Sequence, residues 1–173
     1  MPACAAQMKA PDDAPDSVKK AVRNAPRNVL IGIGKHTGQS NSQLAGTIAE
    51  ARARTAISRQ LNTIVRDMIT AYRVESSLDA SAALAFEENI TTVLSGSTLT
   101  GSTTIFQTRD DKGTHWAVVT INRNNAMRAI QQAQTQSRST IPAASGVDIT
   151  VNINNVNNAF DSAVSQGPQV VQQ

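Results

Sequence analysis

The sequence predicts an α+β fold, in which one long helix and several shorter helices pack on a small, mainly antiparallel β-sheet. Three observations predict it. An apolar strand at residues 29–33 leads through a glycine-rich turn into a helical pattern that continues to residue 72. A Thr-rich run at residues 98–108 and an apolar run at residues 115–121 flank a turn, as in a β-hairpin. Aromatic residues make up only 3% of the 173 residues, so Ala, Ile, Leu and Val must form most of the core.

Residues 1–26 are predicted to form a flexible tether ahead of a core domain at residues 27–136. Four prolines, mixed with Ala, Asp and Lys, leave this segment too little apolar surface to order itself. Residues 16–25 permit a short helix, which Pro26 would end. Cys4, the only cysteine, follows a small residue near the N-terminus, as at the mature end of a bacterial lipoprotein. The alternative for Cys4 is an accidental exposed thiol.

The long helix is predicted to begin at a capping box formed by Ser40 and Gln43. Gly32, Gly34 and Gly38 precede it, and we expect them to allow a tight turn and close packing of the helix. Apolar positions at helical spacing predict the buried stripe of the helix. These positions are Leu44, Ile48, Ala51, Thr55, Leu61, Val65, Met68 and Tyr72.

Four arginines, Arg52, Arg59, Arg66 and Arg73, recur every seven residues along this helix. Seven residues make almost two turns, so the four guanidinium groups are predicted to lie on one flank that drifts by about 20° per step. One interpretation is a solvated flank with local acidic partners. The other is a row that contacts a second protomer or binds an anionic polymer or lipid headgroups.

A second helix is predicted from residue 80 to residue 94, with Gly96 at its end. The residues on its apolar face would be Phe86, Ile90, Val93 and Leu94. Glu87 and Glu88 diverge by about 100° on such a helix, so they do not form a catalytic carboxylate pair. We expect both carboxylates to be solvated or to reach the arginine row.

The hairpin prediction places residues 109–113 in the turn, with Gly113 at a position that requires a left-handed conformation. Asn122 or Asn124 is then expected to cap a third helix that ends near Gln136. Its inward-facing residues would be Ala126, Met127, Ile130 and Ala133.

Residues 137–173 are predicted to form a C-terminal extension with one strand and one short helix. Val147, Ile149, Val151 and Ile153 alternate with polar residues, which is the period of a half-buried strand. This strand has no hairpin partner beside it in sequence, so it should join an edge of its own sheet or of a neighbouring protomer's sheet. Val156, Phe160 and Val164 permit the helix, and residues 167–173 are expected to fray.

The motifs indicate no enzyme, metal site or cofactor. The glycines at 32, 34 and 38 are not followed by the second parallel strand of a dinucleotide-binding unit. His36 and His115, the two histidines, have no metal-ligand spacing, and no nucleophile turn is present. A net charge of +3 with few aromatic residues also disfavours nucleic-acid binding.

Two segments carry a resemblance to a known family. Residues 25–61 contain the IGIG strand and the ARARTAISRQL helix segment, and residues 110–130 contain DDKGTHWAVVTI. Over residues 15–135 the chain resembles the twenty-kilodalton bacterial surface-lipoprotein family, which includes the flagellar outer-membrane lipoprotein P. The resemblance implies an envelope protein without catalytic activity that tends to assemble, and it implies that Cys4 carries the lipid.

The first functional hypothesis is therefore a non-enzymatic, lipid-anchored protein of the outer membrane or periplasm that forms a homo-oligomer or scaffolds other envelope proteins, with a flagellar assembly as one setting. Its interaction residues would be the four arginines and the strand at residues 147–153. The alternative is a periplasmic module that binds an anionic polymer or small ligand through the arginine row. In both cases membrane attachment would occur through the lipid on Cys4.

Overall fold

A four-stranded sheet forms the centre of the computed structural model, which describes residues 9–38, 41–76, 80–96, 99–140 and 153–171. The strands are β1 (Val29–His36), β2 (Ser102–Arg109), β3 (His115–Asn122) and β4 (Gln169–Val171). Their order is β2-β3-β1-β4. The β2–β3 and β1–β3 pairs are antiparallel, and β4 is parallel to β1. The predicted α+β class is confirmed.

Four helices, α2 (Ser42–Ser76), α3 (Ala80–Gly96), α4 (Arg123–Thr140) and α5 (Ile153–Gln166), contribute to the core on one face of this sheet. The α2 helix comes unusually close to β1. A Cβ atom on Gly32 would lie 2.0 Å from the carbonyl oxygen of Ala53, and one on Gly34 would lie 1.9 Å from that of Ala49. Glycine is therefore required inside β1 for close packing, whereas the predicted turn at these two positions is wrong because both lie in the strand.

The N-terminal half of the predicted α2 stripe is also wrong. Leu44 is 48% exposed, and Ala51 and Thr55 are exposed as well. Small side chains of α2 are buried in the narrow gap between this helix and Gly32 and Gly34 of β1. Larger side chains are buried further along α2, where it contacts α3 and α5. The buried residues are Ala45, Ala49, Ala53, Ala56, Ile57, Leu61, Ile64, Val65, Met68 and Ile69.

The N-terminus of α2 is capped by Asn41, whose Oδ1 accepts hydrogen bonds from the backbone N–H groups of Gln43 (3.0 Å) and Leu44 (3.2 Å). Asn41 therefore replaces the predicted cap, Ser40, which lies outside the described residues. The predicted cap of the third helix is confirmed, because Asn122 Oδ1 accepts from the backbone N–H of Asn125 at 2.9 Å, and α4 follows directly.

The opposite face of the sheet is covered by residues 10–25, which include α1 (Asp16–Arg23). Val18 and Val22 are buried against apolar side chains of β1 and β3, including Trp116. Lys35 Nζ forms an ion pair with Asp13 at 2.5 Å and lies 5.4 Å from the centroid of the Trp116 ring.

The predicted short helix is confirmed, but the tether prediction is wrong for residues 9–26. A few apolar side chains suffice to order this segment, because the sheet supplies the other half of the core. Residues 1–8 lie outside the described part of the chain.

The hairpin of β2 and β3 is confirmed, and Asp110 organises its turn. Asp110 Oδ1 accepts from the backbone N–H groups of Lys112 and Thr114, and Oδ2 accepts from Trp116 Nε1 at 2.9 Å. Gly113 has a φ of +80°. Burial acts to raise the pKa of Asp110, but the hydrogen bonds from Trp116 and the two backbone groups outweigh it and hold the pKa below its usual value.

The C-terminal helix is confirmed as α5, but the expected fraying of residues 167–173 is wrong for β4. Gly167 adopts a φ of +83° after α5, and residues 169–171 then pair with Gly32, Ile33 and Gly34 of β1. The predicted strand at Val147, Ile149 and Val151 lies outside the described residues, and Ile153 is the first residue of α5.

Candidate functional site

The arginine row divides into two kinds of residue. Arg52 Nη1 donates to the carbonyl oxygen of Lys35 at 2.7 Å, and Arg66 Nε forms an ion pair with Glu87 of α3 at 2.9 Å. The hydrogen bond and charge of Glu87 raise the pKa of Arg66 further above its usual value. Arg59 and Arg73 are exposed. Two of the four guanidinium groups therefore hold parts of the same protomer together, which leaves Arg59 and Arg73 for an external partner.

A polar network fixes β2 to α2. Glu50 Oε1 accepts hydrogen bonds from Arg54 Nη2 (2.6 Å) and Thr104 Oγ1 (2.8 Å), and Oε2 accepts from Gln107 Nε2 (3.0 Å). Arg54 also donates to Ser102. The hydrogen bond from Arg54 is the main cause that lowers the pKa of Glu50. The network holds β2 by the side chains on its α2 face, so these contacts do not use its outer backbone edge.

The outer edge of β2 is the long edge of the described sheet. β2 has 8 residues, whereas β4, at the other edge, has 3. No charged residue occurs from 102 to 108 (STTIFQT). A register shift between Thr104 and Phe106 leaves Ile105 as a bulge residue without a β3 partner, and its side chain is 37% exposed. Proteins commonly protect such edges with charged residues or proline, and the described edge of β2 has only the bulge. We name residues 102–108 the β2 edge.

Sequence reasoning predicted the hairpin but not which of its strands lies at the edge. The available signal was the contrast between polar, Thr-rich β2 and the mostly apolar β3, which is buried along residues 115–121. A strand buried on both faces is typical of a central position in a sheet.

One concave surface of the described residues includes an ionisable group. A shallow groove runs along α4 beside Arg128, Gln131, Gln132, Thr135 and Gln136. It presents one cation, amide groups and a hydroxyl, without a carboxylate, histidine or cysteine in its lining. No described helix is both long and apolar enough to span a membrane.

Several predicted site residues cannot be placed. Cys4, the predicted lipid attachment site, lies outside the described residues, as do Val147, Ile149 and Val151. Their roles stay predictions.

Comparison with known proteins found no matching family model, and neither the curated proteins nor the solved structures gave a significant match. The resemblance to the surface-lipoprotein family therefore stays a prediction.

Proposed function

We propose that this chain is a non-enzymatic structural protein of the cell envelope that assembles with copies of itself, and that the β2 edge is its contact surface. Membrane attachment through a lipid on Cys4 is part of the same proposal. The observation that carries the proposal is the β2 edge, seven residues without a charged side chain, with its exposed Ile105.

A second copy fits this edge on electrostatic grounds. If two β2 strands paired antiparallel about a twofold axis at Ile105, Thr104 would face Phe106, Thr103 would face Gln107, and Ser102 would face Thr108. None of these pairs places two like charges opposite each other, which would be destabilising. Two four-stranded sheets would then become one continuous sheet, and an antiparallel pair of identical strands satisfies the symmetry of a closed dimer.

The experiment compares two substitutions of an exposed apolar residue by lysine. Ile105→Lys puts two like charges together at the centre of the proposed contact, whereas Leu84→Lys changes a side chain that is 56% exposed on α3, away from the edge. In sedimentation velocity over a concentration series, we expect Ile105→Lys to shift the protein to monomer and Leu84→Lys to behave like the parent chain. A parent chain that is monomeric throughout, or loss of assembly with Leu84→Lys alone, would refute the proposal.

Alternatively, the strand predicted at residues 147–153 of a neighbouring copy could pair with the β2 edge. Ile149→Lys distinguishes the two occupants. If assembly persists in this variant, the result supports pairing of β2 with β2. If Ile149→Lys abolishes assembly as completely as Ile105→Lys does, the C-terminal segment of a neighbouring copy is the occupant, and the twofold pairing described above is wrong.

A binding module for an anionic polymer has less support as the function. Arg52 and Arg66, half of the proposed binding row, are already engaged by Lys35 and Glu87 of the same chain. Arg59 and Arg73 are two exposed charges fourteen positions apart, and a pair so widely spaced lacks the convergent geometry that phosphate or carboxylate recognition requires.

A further inference from the structure

The register of β1 and β3 brings the only two histidines of the chain together. His36 and His115 are 79 positions apart in sequence, yet they are direct partners in the antiparallel pair. Residues directly opposite each other in such a pair have Cβ atoms about 4.5–5.5 Å apart. The pair lies at the end of the sheet where β1 leads towards α2.

Both imidazole groups face α2. Gly32 and Gly34 face α2. Alternate residues of a strand lie on the same face of the sheet, so His36, two residues after Gly34, also faces α2. Ala117, Val119 and Ile121 belong to the core cluster on the α2 side, whereas Trp116 and Val118 belong to the cluster under α1. His115 therefore shares the α2 side, and it is 7% exposed.

His36 has an unexplained polar atom. Its Nε2 is buried and has no hydrogen-bond partner among the residues that the structure describes. Buried side-chain polar atoms nearly always have a partner, so this exception calls for a partner that the described residues do not supply. A metal ion is such a partner, because the neutral imidazole nitrogen is a common metal ligand.

We propose that His36 and His115 form a two-histidine site for a transition-metal ion of the zinc type. Two imidazole nitrogens on one tetrahedral zinc, each at 2.0–2.1 Å, are about 3.3 Å apart, which side chains on directly opposed residues can reach. No group of three or more His, Cys, Asp or Glu side chains suited to a metal occurs in the described ranges. Water or an external ligand would therefore complete the coordination shell.

The charges around the pair determine which ions it accepts. Arg109 is the β2 partner of His115, and Arg52 donates to the carbonyl oxygen of Lys35, next to His36. These cations oppose any dication, so the site requires an ion whose affinity comes from imidazole ligation. Zn²⁺, Ni²⁺ and Cu²⁺ meet this condition, whereas Mg²⁺ and Ca²⁺ prefer oxygen ligands.

The test is a Zn²⁺ titration of the full chain carrying Cys4→Ser, so that the thiol cannot take the metal. Imidazole proton–nitrogen spectra follow each ring directly, because the chain has two histidines. We expect both rings to shift together and to saturate at one Zn²⁺ per chain, with no response to Mg²⁺. A response of one ring alone, or no response with Zn²⁺ in large excess, would overturn the proposal.

Three variants complete the test. His36→Gln and His115→Gln should each weaken zinc binding by about tenfold or more, since loss of even an outer-shell partner costs 10- to 100-fold. Thr37→Val is the matched control, because Thr37 shares a hydrogen bond of 3.2 Å with Thr114 at the same end of the sheet but carries no imidazole. It should bind zinc like the parent. Equal binding by all three variants would show that the metal is held elsewhere.

Discussion

Single residues decide how closely α2 approaches the sheet. Gly32 and Gly34 are inside β1, where glycine ordinarily weakens a strand, and both face backbone carbonyl oxygens of α2. Ala49 and Ala53 are the helical counterpart of this contact. Their small volume lets the helix backbone, instead of long side chains, form one wall of the core.

Gly34→Ala should destabilise the fold, because its Cβ would lie 1.9 Å from the Ala49 carbonyl oxygen and neither backbone can yield without separating helix from sheet. We expect the free energy of unfolding to fall by about 3 kcal/mol, the upper part of the usual range for overpacking. Urea unfolding followed by circular dichroism measures it. Gly46→Ala in α2 is the control, since the nearest atom outside the adjoining backbone of its own helix, Gln107 Oε1, lies 3.9 Å from its Cβ position. It should be neutral or stabilise α2 by about 0.5–1 kcal/mol. Equal effects at the two sites would show that contact with α2 does not limit the size of residue 34.

Glu50 makes the contact between α2 and β2 dependent on pH. The hydrogen bond from Arg54, followed by that from Thr104, lowers its pKa in the folded state. A carboxylate with a lowered folded pKa adds stability above its unfolded pKa, near 4.3, and this stability is lost as the pH falls through the folded value.

Glu50→Gln should therefore reduce the free energy of unfolding at neutral pH by roughly 1 kcal/mol, the net scale of such hydrogen bonds. The difference from the parent chain should shrink as the pH falls below about 4. Urea unfolding at a series of pH values measures both effects. Glu88→Gln, an exposed change on α3, should leave the stability curve unchanged. A Glu50→Gln deficit that stays constant down to acid pH would contradict the role of the ionised carboxylate.

At the scale of elements, the sequence predicted those whose signals are local. The hairpin follows from β-branched runs around Asp110 and Gly113, and α4 from the Asn122 cap and an apolar period. The docking of α1 and the pairing of β4 depend on the finished sheet. Segments as short as residues 169–171 carry no period, so their order comes from the edge of β1 that they join.

Dependence on long-range contacts also explains why sequence analysis did not predict the arrangement of the arginines and histidines at the candidate sites. The heptad spacing of the arginines correctly places them along α2, but it cannot show that Lys35 and Glu87 engage two of them. The histidine pair had no sequence signal either, because only the strand register, which is a long-range property, makes His36 and His115 neighbours.

The α1 helix is expected to detach when its apolar contact is removed. Val18 is fully buried against the sheet, and Val18→Asn should cost about 1.5–3 kcal/mol, the value of burying such a side chain. Because Trp116 is the sole tryptophan and is 3% exposed in the same cluster, its fluorescence emission should shift to the red. Ser17→Asn, one position earlier and exposed, should change neither quantity. An unshifted Trp116 emission spectrum in Val18→Asn would indicate that residues 9–26 form a flexible tether and do not dock on the sheet.

At the scale of the whole molecule, the sheet has α1 on one face and the larger helices on the other, so its edges are the remaining route for extension. The two edges are not equivalent. The short β4 offers three residues, whereas β2 offers eight, of which the first seven carry no charge. With β2 as the one long edge among the described strands, a closed pair is favoured over an open filament, since a filament needs a second, different surface.

The docked N-terminal segment also limits how far the domain can stand from a membrane, if Cys4 carries the proposed lipid. Five residue steps separate Cys4 from Lys9, where the described structure begins, and a fully extended chain spans at most about 18 Å over that length. A free tether of 26 residues would permit a much larger separation. The domain should therefore lie close to the bilayer, with residues 9–26 and the nearby Trp116 on the side that the anchor reaches.

Energy transfer from Trp116 to a fluorescent lipid headgroup tests this expectation on protein coupled through Cys4 to a maleimide lipid in vesicles. Inserting a Gly/Ser spacer of twenty residues after Ala6 adds a root-mean-square reach of about 25 Å without changing the domain. We expect efficient transfer for the parent chain and a clear decrease with the spacer. The decrease should be smaller in Val18→Asn, because detachment of α1 would already lengthen the link between Cys4 and the sheet in that variant. Equal transfer with and without the spacer in the parent chain would show that the short link does not set the height of the domain.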